Sequence, residues 1–236
     1  MVYTLLQEQD WLKKISKAAR EQGPQAPHVV ERSGEQYEQY FFEYFKSHIK
    51  RNNSKTFLLD AGCGTGKIAK KLADIGFQVY GVDFSKEIIS LAEHYAPRVH
   101  FQTSSLYTLP FASHMFDIVI CLGLFQTVGD MERGLEEISR VLKPRGILVV
   151  RTPNSLSFGY LFLSKSIHFS NPYTFASLLS RFSFKTIALK GVYVFPPFLH
   201  WLGAMILKTK LFKVFNFFFF FSCFFSYSFY IEAQKK

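Results

Sequence analysis

The chain has 236 residues, of which 48% are hydrophobic, and a formal net charge of +10 at pH 7. This length and apolar content fit one elaborated domain with a sizeable core better than two domains. The three cysteines, Cys63, Cys121 and Cys223, lie far apart without a His cluster, which argues against a disulfide framework and a zinc site and favours a reducing, cytoplasmic compartment. The N-terminal stretch mixes charged and apolar residues, so we expect no secretory signal.

The positive charge is concentrated towards the C-terminus. Residues 151–236 contain ten Lys or Arg and one acid, Glu232, together with 18 of the 28 Phe. A basic, aromatic composition is typical of surfaces that meet anionic and apolar partners, such as a lipid headgroup region or a lipid-linked substrate. Nucleic acid is not expected, because the basic residues are scattered among long apolar runs. We therefore expect peripheral contact with an anionic membrane surface.

The first part of the chain predicts helices. Residues 4–20 read as an amphipathic helix that ends before the GPQAP stretch at 23–27. Residues 35–50 read as a second helix with Tyr and Phe on one side. We assign residues 1–52 to an N-terminal helical segment.

Strands and helices alternate from residue 53 onward. The predicted strands are continuous apolar runs, which indicates burial on both faces and hence a mostly parallel sheet covered by helices. This order predicts an α/β, doubly wound sandwich. The predicted strands are 56–61, 78–83, 99–103, 116–122 and 146–152, and the helices are about 67–75, one that opens at Ser85, and 131–142. The hydroxyl of Ser85 is a good N-cap for the second of these helices.

The C-terminal third adds a helix at 171–181 and strands at 184–195 and 226–233, which brings the sheet to seven strands. An apolar insertion at about 196–224 separates the last two strands. Residues 214–231 carry no charge and are formally long enough to span a membrane. Asn216 and several Ser interrupt this run and its end alternates like a strand, so we favour an insertion that covers the substrate pocket or dips into a membrane surface.

The stretch LLDAGCGTGK at 58–67 is the densest glycine cluster of the sequence. Ala61 replaces the first glycine of a Walker loop and Ile68 replaces its hydroxyl residue, so that interpretation fails. Lys67 occupies the third glycine position of a dinucleotide fingerprint, which weakens that interpretation too. A plain strand-to-helix turn is the remaining structural alternative, and alternate glycines after a strand favour ligand binding over it.

Two carboxylates accompany the loop. Asp83 ends the second predicted strand, where open α/β sheets bind ligands, and could accept charge-assisted hydrogen bonds of roughly 1.5–3 kcal/mol each from both ribose hydroxyls. Capping of the next helix is its alternative role. Asp60 lies beside the loop, where its charge repels pyrophosphate and attracts an ammonium group. The pair therefore suits a nucleoside with an amino-acid tail.

Four stretches in order resemble the class I S-adenosylmethionine-dependent methyltransferases, in the small-molecule and lipid group with an LDxGCGTG loop. They are FLLDAGCGTGKIAKKL, VYGVDFS, LYTLPFASHMFDIVICLGLFQTV and LKPRGILVVRTPN. The resemblance implies a Rossmann-like methyltransferase fold with a seven-stranded, mostly parallel sheet, residues 53–236 as the binding domain, and S-adenosyl-L-methionine as the cofactor.

The resemblance also implies roles for single residues. Asp83 would hold the ribose, and Phe84 would pack on the adenine unless it belongs to the core. The family often has an Asp that receives the adenine amino group, where this chain has Ser104 and Ser105. It also often has a His just after the fourth strand, where this chain has Gln126 and Thr127, so no catalytic base is assigned. The implied cofactor-binding residues are Asp60, Gly62, Cys63, Gly64, Gly66, Asp83, Phe84, Ser104, Ser105, Leu106, Cys121 and Leu122.

The expected function is an enzyme that passes a methyl group to an oxygen, nitrogen or carbon of a small-molecule or lipid-linked acceptor by in-line displacement. We expect no metal site, and we expect His114, His168 and His200 to be surface or capping residues and Asp117 to be structural. A nicotinamide-dependent oxidoreductase and a non-catalytic nucleoside-binding module remain as alternatives.

Overall fold

The computed structural model describes residues 41, 42, 45, 55–157, 170–193 and 226–236. Phe41, Phe42 and Phe45 are helical, and the remaining ranges alternate strands with helices. The strands are β1 (Phe57–Ala61), β2 (Gln78–Asp83), β3 (His100–Thr103), β4 (Phe116–Leu122), β5 (Leu142–Pro153), β6 (Phe184–Tyr193) and β7 (Ser226–Lys235). The helices are α1 (Lys67–Asp74), α2 (Lys86–Tyr95), α3 (Met131–Val141) and α4 (Pro172–Arg181).

The seven strands form one sheet in the order β3-β2-β1-β4-β5-β7-β6. Strands β1 to β5 pair in parallel, whereas β7 runs antiparallel to both of its neighbours, β5 and β6. The carboxyl ends of β1, β2, β4 and β5 therefore lie at one edge of the sheet. The predicted doubly wound, mostly parallel, seven-stranded sheet is confirmed.

Apolar side chains cover both faces of the sheet, which explains the continuous apolar runs in its strands. On one face, Leu135 and Ile138 of α3 and Phe175 and Leu179 of α4 pack against the inner strands. On the other face, α1 and the buried Phe41 and Phe45 cover the sheet. The N-terminal aromatic residues are thus part of the core of the domain.

Several predicted boundaries differ from the structure. Strand β5 begins at Leu142, four residues before the predicted strand, because Leu142 already pairs with Phe116 across a register shift. Helix α3 accordingly ends at Val141. The predicted N-terminal helix at 4–20 and the apolar insertion at 196–224 lie outside the described residues. In the part of the chain that the structure describes, no helix has both the length and the apolar character needed to cross a membrane.

Strand β7 is buried on both faces although it comes last in the sheet's chain order. Phe229 is 1% exposed and its ring centroid lies 6.3 Å from that of Phe175 on α4. Tyr230 points to the opposite face, where its ring stacks at 6.2 Å on Phe41. Successive side chains of β7 therefore join both layers of helices to the sheet.

Replacement of Phe229 by Ala tests the position of β7. We expect Phe229→Ala to lower the free energy of unfolding by about 3–5 kcal/mol, because a large aromatic side chain leaves a cavity in a packed core. Ile187→Ala is the control, since Ile187 on the neighbouring strand β6 is 52% exposed and its truncation should change the free energy by about 0.5 kcal/mol or less. Urea denaturation of both variants measures the difference, and equal effects would contradict the described packing.

Candidate active site

The glycine loop connects β1 to α1 at the carboxyl edge of the sheet. Gly62, Gly64 and Gly66 have φ angles of 76°, 52° and 79°, in the left-handed region that favours glycine. The amides of Gly62 and Cys63 donate to the carbonyl of Val82 at 2.8 and 3.0 Å. These hydrogen bonds hold the loop against the end of β2. The left-handed backbone at alternate positions of the loop explains why glycines alternate after β1.

Neighbouring side chains press closely on two of these glycines. A Cβ added at Gly62 would lie 2.9 Å from Cδ1 of Leu124, and one added at Gly66 would lie 2.8 Å from Cζ of Phe101. Both separations are shorter than a normal carbon contact, so a side chain at either position would require the loop or the neighbouring Leu124 or Phe101 side chain to move. The loop thus packs between β3 and the turn that follows β4.

Asp83 is buried beside the loop and bonds to it. Its Oδ2 accepts a hydrogen bond from the amide of Gly64 and its Oδ1 accepts one from the amide of Ser85, both at 3.1 Å. Burial raises the pKa of Asp83, and these amides offset part of that effect. Each carboxylate oxygen can accept a further hydrogen bond. The hydroxyl of Ser85, as predicted, caps α2 by accepting from the amide of Ile88.

Asp60 is the second buried carboxylate. It is 3% exposed, and its Oδ2 has no hydrogen-bond partner among the described residues. Burial, followed by the nearby charge of Asp83, raises the pKa of Asp60 to about 7. A buried carboxylate oxygen without a partner is rare in proteins and points to a ligand that supplies one.

Thr65 adds a second unpartnered polar atom to the same loop. Its side chain is 4% exposed, and its hydroxyl oxygen has no partner in the described part of the chain. Thr65 is not among the residues predicted from the sequence, although a hydroxyl between two glycines of the loop is a visible signal. Asp60 at the end of β1 and Thr65 in the loop are thus two neighbouring buried groups that have an oxygen without a hydrogen-bond partner among the described residues.

Phe84, Ser104 and Ser105 lie next to Asp83. Phe84 is 40% exposed and therefore does not belong to the core. The amide of Ser104 donates to the carbonyl of Asp83 at 2.9 Å, which places the loop after β3 beside this carboxylate. The Ser104 hydroxyl donates to the carbonyl of Thr108, and the Ser105 hydroxyl accepts from the amide of Tyr107. Both hydroxyls thus also stabilise their own loop.

The remaining predicted residues are mostly core residues. Leu106 packs against α3, where a Cβ added at Gly134 would lie 2.6 Å from it. Cys63 and Cys121 are buried, and burial, followed by the charge of Asp60, raises the pKa of both thiols. They are therefore protonated at neutral pH and poor nucleophiles. Leu122 is half-buried and ends β4.

A tight turn that contains Gln126 and Thr127 follows β4. The amide and the hydroxyl of Thr127 both donate to the carbonyl of Leu124, at 3.0 and 2.8 Å. Arg151 lies beside this turn, and its carbonyl accepts from the amide of Gly123 at 2.9 Å. Arg151 is not among the residues predicted from the sequence, because it lies within an apolar strand.

Other candidate groups lie away from this edge. Asp117 accepts hydrogen bonds from the amide of Phe57 and from Lys143, so it is structural. The imidazole of His114 bonds to the carbonyl of Leu142, while His168 and His200 lie outside the described residues. Within the described ranges, no group of three or more His, Cys, Asp and Glu is arranged to hold a metal ion.

Comparisons with known proteins agree with this geometry. A family described as "Methyltransferase domain" matches residues 59–150. A ubiquinone biosynthesis O-methyltransferase of Rickettsia akari is 30% identical over 126 residues, which cover 52% of this chain and 50% of the relative. The chain thus spans about half the length of the curated relatives that it matches.

Solved structures share the fold at lower sequence identity. A SAM-dependent methyltransferase from Methanosarcina mazei has a TM-score of 0.61 and 20% identity, over 81% of this chain and 96% of that one. A magnesium protoporphyrin IX methyltransferase from Synechocystis with bound SAH has a TM-score of 0.61 and 16% identity, over 86% and 83% of the two chains. At these identities the similarity concerns the fold.

The raised pKa of Asp60 predicts a pH-dependent stability. In the native state Asp60 keeps its proton up to about pH 7, whereas its ordinary pKa is 3.8. The contribution of protonated Asp60 to the free energy of unfolding is therefore complete below about pH 4 and is lost as the pH rises through 7. Asp60→Asn should therefore raise the free energy of unfolding by about 2–4 kcal/mol at pH 8 and change it little at pH 4.

Urea denaturation at the two pH values measures this effect. Asp74→Asn provides the matched control, because Asp74 is an exposed residue of α1 whose partner is Lys70. An equal effect of Asp60→Asn at both pH values would contradict the protonation of Asp60 in the native state.

Proposed function

We propose that this chain is a class I S-adenosylmethionine-dependent methyltransferase that binds S-adenosyl-L-methionine and methylates a small-molecule acceptor, because residues 59–150 match the family described as a methyltransferase domain. The observation that carries the proposal is the glycine loop with its two buried carboxylates, one of which, Asp60, has an unpartnered oxygen. Strands β6 and β7 complete the same sheet. We therefore assign residues 53–236 to one binding domain, preceded by the helical segment 1–52.

The residues of the loop fit the chemical groups of this cofactor. The main chain of Gly62, Gly64 and Gly66 would lie against the methionine part, and the unpartnered oxygens of Asp60 and Thr65 would meet its ammonium group. A buried carboxylate with a spare oxygen suits a cation, whereas it would repel the pyrophosphate of a dinucleotide.

The second carboxylate and its neighbours fit the nucleoside. Asp83 keeps acceptor capacity for ribose hydroxyls, and the exposed ring of Phe84 beside it offers a face for the adenine. The loop with Ser104 and Ser105 flanks the same position. The structural alternative for the sheet, a dinucleotide-binding fold, has six parallel strands, whereas this sheet contains the antiparallel strand β7.

Catalysis then depends on alignment more than on proton transfer. The bound cofactor supplies a methyl group that is already activated by a positively charged sulfonium. In the turn after β4, Thr127 donates its hydroxyl hydrogen to the carbonyl of Leu124 and Gln126 is an amide, so neither is a general base. Alignment of two bound reactants can lower a barrier by up to ~7–11 kcal/mol in favourable cases. We leave the catalytic base unassigned.

We propose an apolar or lipid-linked acceptor. The relative from Rickettsia akari is named for ubiquinone biosynthesis, and residues 151–236 combine nine of the ten net positive charges with 18 Phe. This composition also supports contact with an anionic membrane surface in the cytoplasm. The chemical nature of the acceptor determines whether an oxygen, a nitrogen or a carbon is methylated.

Binding of the demethylated cofactor tests the site. Isothermal titration calorimetry should detect S-adenosylhomocysteine and not NADH. We expect Asp83→Asn to weaken the binding of S-adenosylhomocysteine roughly 10- to 100-fold, since a charge-assisted hydrogen bond contributes about 1.5–3 kcal/mol, and the exposed control Asp74→Asn to leave it unchanged. Tight NADH binding would favour an oxidoreductase.

A labelled methyl donor added with a metabolite and lipid extract should yield a labelled product, which a non-catalytic module would not form.

Liposome flotation tests the membrane contact. The full chain should float with vesicles that contain phosphatidylserine and remain in the bottom fraction with neutral phosphatidylcholine vesicles, because the excess of Lys and Arg lies in its C-terminal third. High salt should release the protein by screening these charges. Equal behaviour with both vesicle types would contradict the proposed surface.

A further inference from the structure

The loop that connects β3 to β4 begins at the carboxyl edge of the sheet. Strand β3 ends at Thr103, and the amide of the next residue, Ser104, donates to the carbonyl of Asp83 at 2.9 Å. Residues 104–115 belong to neither a helix nor a strand. The course of this loop therefore depends on contacts made outside regular secondary structure.

An ion pair on α3 holds the middle of this loop. Arg140 and Glu137 are joined by two hydrogen bonds of 2.8 Å each, from Nε to Oε1 and from Nη2 to Oε2. Oε2 of Glu137 also accepts from the amide of Leu109 at 2.8 Å. Arg140 donates to the carbonyls of Leu109 and Phe111 at 2.9 and 2.7 Å. The Arg140–Glu137 pair thus bonds to both main-chain groups of Leu109.

The Arg140–Glu137 pair is suited to holding a main chain in one position. Two parallel hydrogen bonds between a guanidinium and a carboxylate are strong and directional. The side chains of Arg140 and Glu137 are 34% and 20% exposed, so solvent screens them only in part. The hydrogen bond from Arg140 lowers the pKa of Glu137, which is therefore ionised at neutral pH. Charge-assisted hydrogen bonds thus attach the loop to α3.

The effect of the pair reaches Ser104 through Thr108, the residue before Leu109. The Ser104 hydroxyl donates to the carbonyl of Thr108 at 3.0 Å and lies 3.2 Å from the carbonyl of Ser105. The amide of Thr108 in turn donates to the carbonyl of Ser105 at 3.2 Å. A hydroxyl has one hydrogen, and here that hydrogen is used within the loop. The oxygen of Ser104 is therefore available to a ligand as an acceptor.

We propose that the Arg140–Glu137 pair positions the loop for recognition of the adenine of the cofactor, by fixing the Ser104 hydroxyl as a hydrogen-bond acceptor. This inference rests on the proposed function, in which the loop flanks the adenine. The amino group of adenine donates hydrogen bonds and fits an acceptor, whereas hypoxanthine carries a carbonyl oxygen at the same place. Arg140 and Glu137 act through the loop and are positioning residues.

The structural alternative is that apolar contacts alone hold the loop. Leu106 and Leu109 are buried, with 8% and 4% of their surface exposed, and Leu106 packs against Gly134 of α3. If these contacts were sufficient, the Arg140–Glu137 pair would contribute to stability without affecting which purine the site prefers. The preference for one purine over another therefore distinguishes the two explanations.

Two ligands that differ in the purine test the inference. S-adenosylhomocysteine carries the amino group, and S-inosylhomocysteine carries a carbonyl oxygen in its place. Isothermal titration calorimetry of the full chain gives both dissociation constants, and their ratio is the adenine preference. We expect the wild-type chain to bind S-adenosylhomocysteine roughly tenfold more tightly, because the wrong purine leaves the Ser104 oxygen without a donor.

Variants assign the preference to the Arg140–Glu137 pair. Arg140→Met should bring the ratio to within about threefold of one, and Glu137→Gln should lower it as well. Arg140→Lys should keep part of the preference, because an ammonium group retains the charge without the planar fork. Ser104→Ala should abolish the preference, and addition of Arg140→Met to it should lower the ratio no further.

Arg181→Met is the matched control. Arg181 bonds to Glu132 of α3 at 2.8 Å, the same length as in the Arg140–Glu137 pair, but both of its side chains are exposed. This variant should keep the wild-type ratio. A smaller fraction of folded protein changes the stoichiometry of both titrations and leaves the ratio unchanged, so the ratio separates positioning from a loss of stability.

The outcomes separate this inference from the proposed function. A wild-type chain without an adenine preference, or a preference that persists in Arg140→Met and Glu137→Gln, would overturn the inference and leave the proposed function intact. If circular dichroism shows that Arg140→Met is unfolded, Glu137→Gln decides. Failure of the wild-type chain to bind S-adenosylhomocysteine would contradict the proposed function and, with it, the inference.

Discussion

The attachment of the glycine loop to β2 is the interaction on which the site depends. Two consecutive loop amides donate to one carbonyl of β2, and a third, that of Gly64, donates to the Asp83 carboxylate that ends the same strand. These bonds require backbone angles that only glycine adopts at low cost. They bring both carboxylates to one edge of the sheet and hold them there, although Asp60 and Asp83 come from different strands.

This arrangement has an energetic cost that a ligand can offset. Burial raises the pKa of both carboxylates, and the charge of Asp83 further raises the pKa of Asp60. Asp83 recovers part of the cost through backbone amides, whereas Asp60 keeps an unpartnered oxygen. A cationic group at Asp60 would satisfy both its charge and its hydrogen-bonding capacity. The site therefore has an electrostatic preference for a positively charged ligand.

Much of the fold could be predicted from the sequence, because its signals are local. The apolar strands, the capping role of Ser85 and the alternation of β7 depend on neighbouring residues in the chain. The start of β5 at Leu142 could not be predicted, since it depends on pairing with Phe116 across a register shift. Within the site, motif spacing indicated the loop and both carboxylates. The lack of a hydrogen-bond partner for the Thr65 hydroxyl among the described residues appears only in three dimensions.

The position of β7 constrains the order in which the sheet can assemble during translation. Strand β6 lies at the outer edge and pairs with β7 alone, and β7 occupies the place between β5 and β6. While residues 226–235 are still inside the ribosome, β5 has an unpaired side and β6 has no partner strand. Such exposed strand edges favour aggregation. The nascent chain therefore exposes these unpaired strands until residues 226–235 emerge, and a nonsense mutation before residue 226 would leave one edge of β5 unpaired and β6 without a partner strand.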